Sequence, residues 1–219
     1  MQNKVVVVTG ASSGIGAVLA EQLGARGARV VLVARREPEL REVAAKIGER
    51  ATVAVADVTQ REAVERVASD TLAQLGQLDV WVNNAGRGIS RMVSELSDND
   101  FDEMMLVNVK SALYGMQAVL PHFRAQGRGH IINVSSMLGR VPIAPFRSAY
   151  SAAKHALNAL TANLRMELGG FPEIHVSAVH PGVVATDFGK SALHGGVDSR
   201  NLPGAQTPQE VAAAIVETI

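Results

Sequence analysis

Along the 219 residues, short β-branched runs alternate with longer stretches in which Ala and Leu recur among charged side chains. Lys4–Thr9, Arg29–Ala34, Thr52–Ala56, Leu78–Asn83, His130–Ser135 and Ile174–Val179 are mostly continuous apolar runs without clean alternation. That pattern marks strands covered on both faces, as in parallel sheets flanked by helices. The stretches between them predict helices at about 14–26, 38–48, 60–75, 99–124, 148–168 and 208–218, with ends set to within roughly 2–4 residues. Strand and helix alternate through six rounds. This requires right-handed crossovers and predicts an α/β fold, a doubly wound parallel sheet with helices on both faces, as one domain over residues 1–219. No repeat, low-complexity tract or linker interrupts the pattern. The Gly- and Pro-containing segment 181–208 reads as a loop within that domain.

Composition narrows the function classes. Hydrophobic residues make up 47% and charged residues 19%, enough for a large core and unlike a disordered chain. Lys plus Arg and Asp plus Glu are 21 each, so no basic excess points to nucleic acid or an anionic membrane surface. There is no Cys, which excludes disulfides, thiolate metal sites and cysteine nucleophiles. The six His lack ligand spacing, so no metal is expected. Unbroken apolar runs such as Val5–Val8 and Val30–Ala34 are far below the roughly 18 residues of a membrane span, and no signal-peptide core precedes them. The expected setting is the cytoplasm. A G-x-S-x-G elbow and a P-loop lysine are both missing, which disfavours serine hydrolases and P-loop kinases.

Thr9-Gly10-Ala11-Ser12-Ser13-Gly14-Ile15-Gly16 follows the first strand and opens the first helix. A dinucleotide needs such a turn, because its pyrophosphate must approach backbone N–H groups at a helix N-terminus. A β-carbon at Gly10 or Gly14 would obstruct the turn or that approach, and Gly16 lets helix and strand pack closely. A glycine turn can also be purely structural, but its position after the first strand of six alternations favours the ligand. Tyr150 and Lys154 are four apart in a helical pattern and therefore share a face. A free phenol has a pKa near 10. A cation about 4 Å away, worth roughly 4 kcal/mol at an effective dielectric near 20, would lower it by about three units. The expectation is a Tyr150 tuned close to the working pH.

The motifs, taken in order, resemble the short-chain dehydrogenase/reductase family. Its T-G-x-x-x-G-I-G is matched at Thr9–Gly16, its N-N-A-G at Asn83–Gly86, its Y-x-x-x-K at Tyr150–Lys154 and its P-G-x-V-x-T at Pro181–Thr186. Asn108 and Ser136 fall where the family places its remaining catalytic residues, and the resemblance spans residues 4 to about 218. It implies a Rossmann-like oxidoreductase that moves hydride between a nicotinamide and a carbonyl or secondary alcohol. Tyr150 would exchange the proton, Ser136 hydrogen-bond the substrate oxygen and Lys154 hold the nicotinamide ribose. Asn108 would anchor a relay water. Around the cofactor, Gly10, Ser12, Ser13, Gly14, Ile15 and Gly16 would form the pyrophosphate turn. Asp57 and Val58 would take the adenine, though Asp57 could instead cap a helix. Asn84, Ala85 and Gly86 would flank the adenosine ribose, and Pro181, Gly182, Val184 and Thr186 the nicotinamide side.

The second strand ends in Ala34-Arg35-Arg36, with no carboxylate at 34 to repel a ribose 2′-phosphate. The resemblance implies NADP(H) over NAD(H), with Arg35 the leading contact and Arg36 secondary. Glu37 is the residue that could reverse this by reaching a ribose hydroxyl. Substrate groups are expected from 87–92, 137–146 and 187–206, a largely apolar set. Ala-, Leu- and Met-rich faces on the 99–124 and 148–168 helices imply, through the family's pairing mode, a homodimer or homotetramer. Family members usually add a seventh edge strand; here the sequence gives six. The alternatives are an NAD-dependent alcohol dehydrogenase of the same family and a non-catalytic nucleotide sensor.

Overall fold

The computed structural model describes residues 1–219. Six parallel strands form one sheet: β1 (Val5–Thr9), β2 (Arg29–Ala34), β3 (Ala51–Val55), β4 (Val80–Asn83), β5 (Gly129–Val134) and β6 (Ile174–Val179). Their order is β3-β2-β1-β4-β5-β6. The connecting helices are α1 (Gly14–Ala25), α2 (Glu37–Ile47), α3 (Arg61–Leu75), α4 (Asp98–Met105), α5 (Ser111–Gln126), α6 (Ser148–Glu167) and α7 (Pro208–Thr218).

Every predicted strand is present, and the side-chain period of two divides the core between the sheet's faces. Val6 and Val8 of β1 pack with Leu19, Leu23, Ile215 and Val216 of α1 and α7. Val5 and Val7 face the other way, toward Val64, Trp81, Phe123 and Leu164. Each fully buried aliphatic side chain is worth about 1.5–3 kcal/mol.

Two expectations fail locally. Strand β3 is covered only in part: it is a sheet edge, with Val53 packed on one core layer and Ala54 on the other, its residues half-buried and Val55 exposed. The predicted helix 99–124 is interrupted by a π-helical turn, Leu106–Lys110, where Ser111 N–H bonds to the Leu106 carbonyl five residues back. Such turns recur at functional sites because they re-aim side chains within a helix.

A buried polar ladder fixes α6 to the sheet. Trp81 Nε1 donates to Asn83 Oδ1 (2.7 Å) and Asn83 Nδ2 to Asn133 Oδ1 (2.8 Å). Asn133 Nδ2 then donates to Thr161 Oγ1 (2.8 Å), which donates to the Leu157 carbonyl (2.7 Å). Each link satisfies a group that would cost about 1–3 kcal/mol unpaired, and the ladder sets the rotation of α6. Strand order reverses between β1 and β4, so the cleft that open α/β sheets use for ligands lies at the carboxyl ends of these two strands.

Candidate active site

The glycine turn at the end of β1 has little room for side chains. Gly10 has φ +68°, and a β-carbon there would stand 2.9 Å from Ala85 Cα. One on Gly16 would stand 2.3 Å from the Gly10 carbonyl oxygen. Across the turn, Gly14 faces Thr186, whose Cγ2 would lie 3.4 Å from an added β-carbon. Ile15 packs onto the first core layer. Thr9 is the hub: its hydroxyl accepts from Asn84 N–H (3.0 Å) and Ala85 N–H (3.1 Å) and donates to the Val82 carbonyl (3.1 Å). Asn84 Nδ2 donates to the Thr9 carbonyl (2.9 Å). The Asn84 side chain therefore clamps the turn.

At the N-terminus of α1, the Ser13 side chain makes no capping bond to the helix. Arg36 Nη2 instead donates to both Ser12 Oγ and Ser13 Oγ, each at 3.0 Å. The helix N–H groups and a guanidinium thus converge, a donor set that fits a phosphate. Arg35 is more exposed and reaches Asp57 at 3.9 Å. Glu37 is tied to Arg41 (2.6 Å). Asp57 accepts from Thr59 N–H (3.0 Å) and Thr59 Oγ1 (2.8 Å), while the N-cap of α3 is Gln60. The capping role considered for Asp57 is thus replaced by a turn within 57–59. Val58 packs beside it against the second core layer.

On the other side of the cleft, Asn108, Ser136, Tyr150 and Lys154 are all buried. Asn108 lies in the π turn. Its Nδ2 donates to the Arg87 carbonyl (2.9 Å) and its Oδ1 accepts from Arg87 N–H (3.2 Å). Gly86 separates it from Lys154: a β-carbon on Gly86 would lie 2.9 Å from Asn108 Oδ1 and 3.7 Å from Lys154 Nζ. Ser136 starts a 3₁₀ turn, Met137–Gly139, and its Oγ accepts from Leu138 N–H (3.1 Å). Ser135 remains a strand-end residue, bonded to the Val179 carbonyl.

The electrostatics of Tyr150 and Lys154 depart from the sequence expectation. Lys154 Nζ donates to the Val134 carbonyl (2.9 Å) and lies 5.6 Å from the Tyr150 ring centroid. Burial pushes the Tyr150 phenol up to about 12, against the opposing pull of Ser136 and the Arg147 guanidinium. Burial also lowers Lys154 to about 8. The predicted downward shift of Tyr150 is thus reversed, because removing both groups from water outweighs an ammonium that is occupied by a carbonyl.

The segment after β6 closes the cleft. The Pro181 carbonyl accepts from Met137 N–H (2.8 Å). Gln206 pins the rest: its side chain accepts from Gly182 N–H (2.9 Å) and its backbone pairs with Val183 and Ala185 beside Val184. The Phe188 ring stands 5.5 Å from that of Tyr150. Met137, Val141, Ile143, Phe146 and Phe188 are exposed apolar side chains on the segments expected to meet substrate. Sequence reasoning missed Thr9, Gln206, Arg147 and the Asn83–Asn133–Thr161 ladder. The adjacent asparagines at 83 and 84 were the available signal for two of these arrangements.

A parallel sheet reversing at β1 and β4, with a glycine turn and a Ser-Tyr-Lys cluster on either side of the cleft, defines a nucleotide-dependent oxidoreductase architecture. The family model described as short chain dehydrogenase matches residues 4–195, and the chain belongs to the short-chain dehydrogenase/reductase family of NAD(P)-dependent oxidoreductases. An uncharacterised oxidoreductase of Staphylococcus epidermidis is 37% identical over 196 residues, 87% of this chain and 84% of its own. A serine dehydrogenase solved with NADP+ superposes with a TM-score of 0.90 at 30% identity, covering 97% of this chain and 88% of that one. A 3-ketoacyl-(acyl-carrier-protein) reductase from Brucella melitensis, solved with NADH, gives 0.89 at 29% identity, covering 98% and 90%. No helix is long and apolar enough to cross a membrane.

Proposed function

We propose that the protein is an NADP(H)-dependent reductase of apolar aldehydes or ketones, reversible as an alcohol dehydrogenase. The observation that carries the reading is the convergence of Ser136, Tyr150, Lys154 and Asn108 across one cleft from the glycine turn. A bound nicotinamide would provide hydride chemistry, as donor in reduction and acceptor in oxidation. Tyr150 holds the proton delivered to the substrate oxygen. A phenol pushed up to about 12 is protonated at neutral pH, which suits the reducing direction. Ser136 Oγ hydrogen-bonds the same oxygen and stabilises charge developing there. Lys154 would hold the ribose hydroxyls, and Asn108, held by both backbone groups of Arg87, would orient a relay water.

Gly10, Ser12, Ser13, Gly14, Ile15 and Gly16 would hold the pyrophosphate, Asp57 and Val58 the adenine, and Asn84–Gly86 the adenosine ribose. Pro181, Gly182, Val184 and Thr186 would flank the nicotinamide. The preference for NADP(H) is supported by Arg36 at Ser12 and Ser13, by Arg35 beside it, and by a Glu37 already paired. The two solved relatives carry one cofactor of each kind, so the assignment rests on these residues. Exposed Ala152, Ala159, Ala162 and Met166 on α6 support pairing of two copies through that helix. The test is a panel of apolar aldehydes and ketones, with consumption of NADPH and NADH followed by absorbance. NADPH should give a kcat/KM at least about tenfold higher, or 1.4 kcal/mol. Equal values would remove the cofactor preference, and no consumption across the panel would remove the reductase reading.

A further inference from the structure

We propose that His194 is a positioning residue for substrate: its hydrogen bond to Asp100 clamps the segment after β6 so that Leu193 and Phe188 form an apolar wall beside Tyr150. The proposal deepens the reading of the cleft as a site for apolar carbonyl compounds and rests on it.

Residues 188–196 form a loop whose ends meet. A β-carbon on Gly196 would collide with the Gly189 carbonyl oxygen. Arg147 Nη2 lies against both glycines, 3.1 Å from a β-carbon placed on Gly196 and 3.5 Å from one on Gly189. Arg147 Nη1 also donates to the Ile89 carbonyl (3.1 Å), so this guanidinium braces the neck of the loop. Farther along, the loop is seated by Leu193. Its N–H donates to the Gly88 carbonyl (2.8 Å) and its carbonyl accepts from Ser90 N–H (3.0 Å), which makes a single parallel bridge with Ile89. The Leu193 side chain packs on the cluster of Ile89, Met104, Ala149 and Tyr150. The Phe188 ring, at the start of the same loop, stands 5.5 Å from the Tyr150 ring. The two side chains thus border the phenol with apolar surface.

The two backbone bonds of Leu193 are a slight hold for a surface loop, and His194 adds the tie. Its Nε2 donates to Asp100 Oδ1 at 2.6 Å. Asp100 is well placed to receive it. Its side chain is only 10% exposed, its other oxygen accepts from Ser97 N–H (3.1 Å), and its own N–H donates to Ser97 Oγ (3.2 Å), closing a capping box at the start of α4. The capping box holds the carboxylate independently of the loop, and a charged acceptor makes the bond to His194 a strong one. On the opposite ring edge, Arg91 Nη2 stands 3.4 Å from His194 Nδ1. A neutral imidazole with its proton on Nε2 satisfies both partners. His194 has φ +63°, in the left-handed region that a non-glycine residue occupies at a cost. Such a conformation persists where surrounding contacts impose it. A tie that only tethered the loop could lie anywhere along it. This one directly follows Leu193, the residue that meets the Tyr150 cluster.

The test compares two substitutions in the full chain. Asn enters the left-handed region readily, but its amide ends where Nδ1 stands and falls short of Asp100, so His194→Asn keeps the backbone and cuts the tie. In His194→Gln the amide nitrogen reaches the place of Nε2 and restores the donor. Hydrogen exchange read by mass spectrometry should show the amides of Ser90 and Leu193 exchanging about tenfold faster in His194→Asn, and within about threefold of wild type in His194→Gln. In the carbonyl assay, kcat/KM for octanal should fall about tenfold in His194→Asn through a raised KM. The loss for propanal, too short to lie along the apolar wall, should be about threefold or less. His194→Gly serves if His194→Asn fails to fold by circular dichroism. Wild-type exchange in His194→Asn, exchange in His194→Gln as fast as in His194→Asn, or equal losses for octanal and propanal would each overturn the proposal. A wild-type chain that reduces neither aldehyde would count against the reductase reading, while the exchange comparison would still decide whether His194 holds the loop.

Discussion

On the β1–β3 side of the cleft the site is built from backbone and exposed guanidinia: a glycine turn at the limit of close approach, Thr9 and Asn84 clamping it, and Arg35 and Arg36 at the rim. On the β4–β6 side it is built from buried side chains, and burial shifts the protonation of His130, Tyr150, Lys154 and His180. In the proposed function, the first half provides grip and the second chemistry. A dinucleotide phosphate can be held by N–H groups and partly hydrated cations. Proton transfer needs charges taken out of water, where each has a larger effect.

Three experiments would break or sharpen this contrast. Of these, the largest effect is expected in the buried half. Lys154→Met removes the ammonium and leaves the Val134 carbonyl without its donor, so kcat should fall at least about a hundredfold in steady-state assays. Retention of most activity would dissolve the distinction between the halves.

The second concerns stability against pH at the amino end of the sheet, where burial acts away from the cleft. His130 is buried and bonded to Ser177 Oγ (2.8 Å), and burial lowers it from 6.5 to about 4. It stays neutral in the fold while the unfolded chain takes up a proton below 6.5. The stability is therefore whole above pH 6.5 and is lost as pH falls to about 4, by up to about 3 kcal/mol. Denaturant melts at the two pH values should show the loss, and His130→Gln should flatten it. A pH dependence identical in the variant would count against burial as the cause.

The smallest effect belongs to the exposed half. Arg36→Ala should weaken NADPH more than NADH, by about tenfold in the ratio of dissociation constants, because solvent screens the interaction. Equal losses for both cofactors would place the 2′-phosphate elsewhere.

The contrast also explains what the sequence made legible. Strands β2 and β6 match their predicted bounds, and the glycine turn, Tyr150 and Lys154 are local patterns of close spacing. The π turn escaped because one wide turn barely disturbs helical periodicity over 99–124. The direction of the Tyr150 shift escaped because spacing gives adjacency on a helix face, whereas desolvation depends on what covers that face. Arg147 was invisible for a related reason: Gly88, Gly189 and Gly196, which accommodate it, are separated by up to half the chain and meet only in the folded protein. Arg36 at Ser12 and Ser13 needed the end of β2 folded beside the end of β1, a register that composition does not encode.

The most direct test of the account is Tyr150→Phe, assayed for NADPH binding by fluorescence titration and for turnover with the best carbonyl substrate of the panel. Removing one hydroxyl from a buried ring should leave binding within about twofold and lower kcat by about a thousandfold or more. A variant that turns over near the wild-type rate would show that the proton comes from another group.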